Sequence, residues 1–239
     1  DLLKREIKHA GFYGRITSAN VVLSPNSPQT DWCTVTPTKR HLTTPVFGIN
    51  NITSLCTDTG LLVDSDVLMI RRASTAVAPS LVAAQHYIQS NFDDVILAKG
   101  VLANFTLTEM DGTTLAPIHE FYQDVYYVDS DNNFKRRRLV NGEIEDEPLI
   151  EGVDDFQVQY GIDTDADNIA DTFTTTPLSN DYSGWQNVKT VTVSLLISGE
   201  TVSQPDAKTY QYADKLDVTF NDSKKRRLFS FVVAVGNQQ

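Results

Sequence analysis

Alternation of apolar and polar side chains recurs along the second half of the chain and constrains its fold more than any other feature. Phe156, Val158 and Tyr160 alternate with two glutamines, and Lys189–Ser198 shows the same two-residue period. Successive side chains of a β-strand point to opposite faces of the sheet, so each segment predicts a strand with one buried face. Strands of this kind are typical of antiparallel sheets, and we expect the fold to be built around one.

Shorter segments between residues 63 and 239 predict further strands. The turn Asp129–Asn133 separates two of them and predicts a hairpin, and Asn141-Gly142 predicts a second tight turn. A short helix is predicted around Ser80–Ile88. The additional predicted strands are Asp66–Arg72, Asp94–Ala98, Leu102–Leu107, Phe121–Val128, Phe134–Val140, Lys215–Phe220 and Leu228–Val235, of which the last two would form a hairpin across Asn221–Lys225.

The first 14 residues predict an amphipathic helix. Leu3, Ile7 and Ala10 fall on one face, and glycines at positions 11 and 14 end the pattern. Three cations point away from the apolar face: Lys4, Arg5 and Lys8. Together with the strands, this predicts a single α+β domain over residues 1–239, in which one N-terminal helix packs on an antiparallel sheet with additional hairpins.

The two cysteines lie in a loop-like region between residues 20 and 62, which is rich in Pro, Ser, Thr and Asn. A loop of this length rarely lacks structure altogether, so we expect a short strand or helical turn within it. A disulfide between Cys33 and Cys56 would tether the loop and contribute about 3 kcal/mol of stability. Two buried free thiols are the alternative, because the spacing of the pair is not itself diagnostic.

Four aspartates predict a cation site. Asp163, Asp165, Asp167 and Asp171 are spaced so that their carboxylates, with the backbone carbonyl of Ile169, supply much of an oxygen cage for Ca²⁺. Without a cation, four negative charges in one short loop repel one another. Calcium in turn favours an oxidising, extracellular environment for the cysteines.

The aspartate loop differs from an EF-hand loop at two positions. Asn168 replaces the invariant glycine, which is tolerable because Asn adopts the left-handed region more readily than other non-glycine residues. Thr174 replaces the bidentate glutamate, so neither the flanking helix nor the full affinity of an EF-hand is expected. A solvated acidic turn is the alternative interpretation.

Composition and motifs argue against several classes of function. The formal net charge of −11 argues against nucleic acid as a partner, and the basic segments 135–138 and 224–227 are expected at solvated strand edges. There is no apolar segment of 18 residues that would span a bilayer. The four histidines are scattered, and no local catalytic motif accompanies them, so we do not expect an enzyme.

Several segments resemble the PilW-type minor pilins of bacterial type IV pili. The opening LLKREIKHAGFYG resembles the point at which the pilin helix leaves the membrane, and SDVLMIRRA resembles the first sheet strand. The segment LIEGVDDFQVQYGIDTDADNIADTF, residues 149–173, carries the strongest similarity. It is followed by WQNVKTVTVSLL and RRLFSFVVAVGN, which resemble two later strands of the family.

The resemblance implies a pilin-like fold and a role in priming or capping pilus assembly at the pilus tip. The implied partners are other minor pilins, a tip adhesin and the major pilin fibre. We expect the chain to continue upstream with an apolar helix that anchors it in the inner membrane, facing the periplasm, before assembly places it at the pilus tip.

Two alternatives remain open at this point. The first is a type II secretion pseudopilin, which has the same helix-plus-sheet architecture. The second is a calcium-dependent adhesin or sugar-binding module. Exposed aromatic side chains near the aspartate loop would favour the second alternative, and the candidates are Tyr160, Phe173, Tyr182 and Trp185.

Overall fold

The computed structural model describes residues 1–16, 33–56, 60–177, 182–201, 203 and 207–236, with positions 182 and 183 described by their backbone alone. Two α-helices occur in these residues, α1 (Leu2–Lys8) and α2 (Tyr182–Gln186). The strands are β1 (Val46–Ile49), β2 (Val67–Val77), β3 (His86–Ser90), β4 (Val95–Lys99), β5 (Ile118–Val128), β6 (Phe134–Val140), β7 (Glu143–Ile150), β8 (Val153–Ile162), β9 (Thr172–Thr174), β10 (Val188–Thr201), β11 (Lys208–Tyr212), β12 (Lys215–Phe220) and β13 (Lys224–Ala234). The predicted α+β class is confirmed, although strands dominate.

The strands of the described residues form three antiparallel sheets. The largest has seven strands in the order β1-β2-β5-β3-β4, with β6 beside β5 and β7 beside β6. A four-stranded sheet has the order β13-β10-β8-β9, and β11 pairs with β12 alone. Apolar side chains of the two larger sheets form a common core, to which β2, β5, β8 and β10 all contribute.

Helix α1 covers this core with the face that the sequence predicts. Leu3, Ile7 and Ala10 are buried in the same hydrophobic cluster as the sheet residues. The helix is shorter than predicted and ends at Lys8. The chain leaves the helical path because the N–H of Gly11, at a φ of +76°, donates to the carbonyl of Arg71 on β2.

The tight turn predicted at Asn141-Gly142 is confirmed, and it connects β6 to β7. Val140 pairs with Glu143, so Asn141 and Gly142 form a two-residue turn with φ values of 51° and 81°. Positive φ at both central residues is what the twist of such a hairpin requires, and Asn-Gly adopts it at low cost.

Two predicted elements in the first half are wrong. The region predicted as a helix around Ser80–Ile88 ends in strand β3, and all five residues of that strand are buried. A strand buried on both faces lacks the alternation that would identify it. Leu102–Leu107, predicted as a strand, begins with a 3-10 turn at Leu102–Asn104, in which Leu102 is 62% exposed.

The predicted C-terminal hairpin is also wrong, although both of its strands exist. β12 pairs with β11, whereas β13 pairs with β10 over ten residue positions. The apolar residues of β13 that alternate toward the main core, Phe231 and Val233, lie opposite Val193 and Val191. β10 is longer than β12, and its apolar and polar side chains alternate in the same way as those of β13. β13 therefore pairs with β10 rather than with β12, which is adjacent in sequence.

The basic segment 135–138 is not at a sheet edge, as was predicted, because β7 covers the outer side of β6. Its cations pair with carboxylates of the neighbouring strands. Arg137 contacts Asp146 at 2.7 Å, and Arg138 contacts the buried Asp124 at 2.5 Å. In the second basic segment, Arg226 contacts Asp154 at 2.6 Å.

Candidate metal centre

The predicted calcium ligands lie in the loop of a hairpin. Ile162 of β8 pairs with Thr172 of β9, which leaves residues 163–171 as the connection. The N–H of Asp171 donates to the carbonyl of Ile162, and the N–H of Asp163 donates to the carbonyl of Asn187, both at 2.9 Å. The two ends of the loop are therefore held by the four-stranded sheet.

Asp163 is the only one of the four aspartates that is buried, with 4% exposure. Its Oδ1 accepts a hydrogen bond from the N–H of Ala166 at 2.7 Å, and its Oδ2 accepts one from the N–H of Asn168 at 2.9 Å. Ala166 and Asn168 both lie in the left-handed region, with φ of 66° and 68°. The loop thus curls around this carboxylate, and Asn168 adopts the conformation that the sequence predicted for the sixth position.

Three of the four predicted carboxylates come together. Asp163, Asp165 and Asp171 each offer an oxygen, and these oxygens lie within 4.8 Å of one another. Asp171 accepts hydrogen bonds from the N–H and hydroxyl of Thr164, which hold the pKa of its carboxyl below the usual value. This carboxylate is therefore ionised at neutral pH, as a metal ligand must be.

The separation of these oxygens is compatible with one calcium ion. Oxygens bound to Ca²⁺ at about 2.4 Å lie at most about 4.8 Å apart, and the three carboxylate oxygens lie within that limit.

Asp167 does not belong to this three-carboxylate group. Its Oδ1 accepts a hydrogen bond from the N–H of Ile169 at 2.7 Å, and its own N–H donates to Asp165 at 3.2 Å. The side chain of Ile169 is 65% exposed. Metal ligation by Asp167 and by the Ile169 carbonyl stays a prediction, as does ligation by the other three aspartates.

Lys189 is a contact of the loop that the sequence did not suggest. It lies on β10, and its ammonium donates to the Oδ1 of Asn168 at 2.9 Å. A positive charge from another strand therefore offsets part of the negative charge of the aspartates. Local spacing gives no sign of such a contact, because it depends on how β10 pairs with β8.

Two of the four aromatic side chains near the loop are core residues. Tyr160 and Trp185 are 1% and 2% exposed, and their rings lie 4.9 Å apart. A Cβ at Gly48 would lie 1.7 Å from the Tyr160 hydroxyl, so the tyrosine fills the space above this glycine. Phe173 is 59% exposed, and the side chain of Tyr182 lies outside the described residues. Tyr160 and Trp185 thus form no exposed sugar-binding platform.

Cys33 and Cys56 are joined by a disulfide, with their Cα atoms 5.8 Å apart. The bridge closes a loop between two cysteines that are 23 positions apart in the sequence. Between them lie a 3-10 helix at Lys39–Thr43 and strand β1, which are the short elements expected in this region.

Sequence reasoning missed a buried carboxylate at the start of β2. Asp66 is 2% exposed and accepts hydrogen bonds from the N–H groups of Asn51 and Val158 at 2.9 and 2.7 Å. Burial raises the pKa of this carboxyl to about 7, with smaller contributions from the negative charges of Asp214 and Asp155. The sequence shows Asp66 only as the first residue of a predicted strand.

The region that contains the loop is similar in sequence to a known protein family. Residues 125–237 match the family model described as type IV pilus-assembly protein W, PilW. No curated protein sequence matches the chain significantly. A type IV-like pilin from Thermus thermophilus is similar in structure, with a TM-score of 0.42 and 15% sequence identity over 73% of this chain and 79% of that chain. The PilW-type resemblance of the sequence is therefore confirmed over residues 125–237, which include the candidate metal centre.

Proposed function

We propose that the chain is a minor pilin that primes or caps type IV pilus assembly at the pilus tip. The observation that carries this proposal is the match of residues 125–237 to the PilW family. The matched region begins within β5 and extends past β13, so it includes the whole four-stranded sheet. The role is structural rather than enzymatic.

The arrangement of helix α1 supports a role in a multi-subunit fibre. Its apolar side chains are buried against the sheets, while Lys4 and Arg5 are exposed on the opposite side. Neighbouring subunits would pack against this exposed face. No helix of the described residues is long and apolar enough to cross a membrane. The partners that we propose are other minor pilins, a tip adhesin and the major pilin fibre.

We further propose that the loop 163–171 binds Ca²⁺ as a structural ion. The three carboxylate oxygens within 4.8 Å of one another and the left-handed conformation of Asn168 support this proposal. When bound, calcium supplies positive charge that neutralises the aspartates. Asp163, Asp165 and Asp171 would hold it, and the loop would present a fixed surface beside β8.

The test is affinity capture of the tagged chain together with the other minor pilins encoded by the same genome, combined with deletion of its gene. We expect capture of at least one minor pilin, and loss of surface pili and of twitching motility in the deletion strain, restored by the wild-type gene. A deletion strain with normal pili and defective protein secretion would contradict the proposal and support the pseudopilin alternative.

A further inference from the structure

Strand β13 forms one edge of the four-stranded sheet in the part of the chain that the structure describes. The N–H of Val235 donates to the carbonyl of Lys189 on β10, and the pairing continues in register along β13. In an antiparallel ladder every second residue bonds to the partner strand. The residues bonded to β10 are therefore Phe229, Phe231 and Val233. The residues whose N–H and C=O groups point away from β10 are Leu228, Ser230 and Val232.

The other long edge among the described strands, β7, is protected against strand addition. β7 pairs with β6 alone and carries several charged side chains and a proline: Glu143, Glu145, Asp146, Glu147 and Pro148. Charged side chains and proline are common means by which proteins block edge-to-edge pairing. Residues 228–234 of β13, with the sequence LFSFVVA, contain neither. No other strand of the described residues pairs with this half of β13, which therefore forms an open edge there.

The side chains of β13 divide the strand into a basic and an apolar half. Lys224, Lys225 and Arg227 are exposed at its start. Farther along, Phe229 is 42% exposed and Val232 is 61% exposed. An exposed apolar edge strand promotes aggregation unless it is partnered, and cations at one end repel basic partners and attract acidic ones.

We propose that the outer edge of β13 binds an extended acidic segment of a partner protein, which adds a fifth strand to this sheet. The added segment runs antiparallel to β13, with small apolar residues opposite Leu228–Ala234 and carboxylates at its C-terminal end, near the exposed Lys224, Lys225 and Arg227. The outward carbonyl of Arg226 already accepts a hydrogen bond from the Tyr210 hydroxyl at 3.0 Å, so backbone pairing with the segment is confined to residues 228–234. Backbone hydrogen bonds supply the affinity in this mode of recognition, and the charged half determines the register.

A second copy of β13 is a poorer occupant of this edge. Antiparallel pairing of two β13 strands over their full length would place the cations of Lys224–Arg227 opposite the uncharged residues Phe231–Ala234. The positive charges would then lose water without gaining a carboxylate. The charge distribution therefore favours an acidic partner.

The test uses the purified chain and a synthetic peptide as long as β13, in which valine and threonine alternate before a glutamate-rich C-terminal third. We expect the peptide to bind in fluorescence anisotropy and to bind more weakly as salt is added. In hydrogen exchange, the amides of Leu228, Ser230 and Val232 exchange rapidly in the free chain and become protected on binding. The amides of Phe229, Phe231 and Val233 are protected in both states.

Two substitutions at position 232 separate the contribution of the backbone N–H to peptide binding from the contribution of the side chain. Val232→Pro removes an N–H that points away from β10, so it leaves the existing ladder intact and weakens peptide binding about tenfold or more. Val232→Thr keeps the N–H and binds like the wild type. Thermal melts show that both variants fold. Lys225→Glu lowers affinity for the acidic peptide and raises it for the same peptide ending in lysines.

Three results would overturn the proposal: no binding by the wild-type chain, equal binding by Val232→Pro, or equal binding of a peptide with its acidic residues at the opposite end. A dimer mass in light scattering that Val232→Pro reduces to a monomer mass would assign the edge to a second copy and reject the acidic partner. None of these outcomes depends on a role in pili, because the assay contains only the chain and the peptide.

Discussion

The Nζ of Lys189 lies 3.8 Å from the Oδ2 of Asp163, the most buried carboxylate of the candidate metal loop. The lysine side chain is 13% exposed, so water screens this pair only partly. An ammonium in this position stabilises the aspartates when no metal is bound. The same ammonium opposes a cation that approaches Asp163, so in the proposed calcium site it would lower the affinity of the loop for calcium.

Replacing Lys189 by Met should have opposite effects in the two states of the loop. Without calcium, the variant should melt at a lower temperature than the wild type, because the aspartates lose a nearby positive charge. Its calcium affinity should rise about tenfold, since removing a cation from the site favours a divalent ion. Isothermal titration calorimetry measures the affinity, with Lys99→Met as an exposed control on β4. Unchanged calcium affinity in Lys189→Met would contradict this prediction.

Calcium should raise the melting temperature of the wild-type chain. With no bidentate glutamate in the loop, we expect a dissociation constant of about 10⁻⁵ to 10⁻³ M. Calcium at 100 times that constant should add about 2.7 kcal/mol to the free energy of unfolding. Melts in EDTA, Ca²⁺ and Mg²⁺ test this, and Asp165→Ala should abolish the calcium shift. If calcium leaves the wild-type melt unchanged, the loop is an ordinary acidic turn.

The disulfide between Cys33 and Cys56 should increase the free energy of unfolding. Its two cysteines are separated by 23 positions, and closing a loop of this length contributes about 3 kcal/mol of stability. The double variant Cys33→Ser/Cys56→Ser should therefore have a lower free energy of unfolding by about that amount in urea titration. Thiol titration of the denatured, unreduced wild type should find no free thiol. Two free thiols in protein expressed in the periplasm would refute the bridge.

The two faces of α1 should respond differently to substitution. The ammonium of Lys4 lies 4.9 Å from the ring centre of Phe231, an exposed contact worth about 0.5–1 kcal/mol, so Lys4→Glu should leave the melting temperature nearly unchanged. It should nevertheless reduce capture of partner pilins, because it reverses a charge on the exposed face. Ile7→Ala, on the fully buried face, should cost about 2–5 kcal/mol of stability. Unfolding by Lys4→Glu would mean that the faces are assigned wrongly.

Because of Asp66, the free energy of unfolding should decrease as the pH rises from about 4 to about 7. Its carboxyl has a pKa of about 7 in the folded chain and an ordinary value of 3.8, so the folded state holds the proton more tightly. This contribution is fully present below pH 3.8 and is lost as the pH rises through about 7, with a slope of at most about 1.4 kcal/mol per pH unit.

Urea titrations between pH 5 and pH 8 measure this effect as the difference in unfolding free energy between the wild type and Asp66→Asn. The difference should decrease as the pH rises, because the variant has no carboxyl at this position. A difference for Asp66→Asn that stays constant over this pH range would show that the pKa of Asp66 is not raised.

The features that the sequence predicted correctly are those that depend on neighbours along the chain. The two-residue periods of β8 and β10, the Asn141-Gly142 turn and the apolar face of α1 all follow from local geometry. The spacing of Asp163, Asp165 and Asp171 is likewise local, because all three lie in one short loop whose backbone brings their carboxylates together.

The features that only the tertiary structure decided depend on which segments meet in space. β13 pairs with β10 rather than with the adjacent β12. β10 is a long strand with the same alternation of apolar and polar side chains, and pairing with it buries more apolar surface. The ammonium of Lys189 reaches Asp163 only because β10 lies beside β8. Asp66 acquires its raised pKa from burial under segments that are distant in sequence. Long-range pairing and desolvation leave no periodic signal in a sequence, because they arise from the packing of the whole domain.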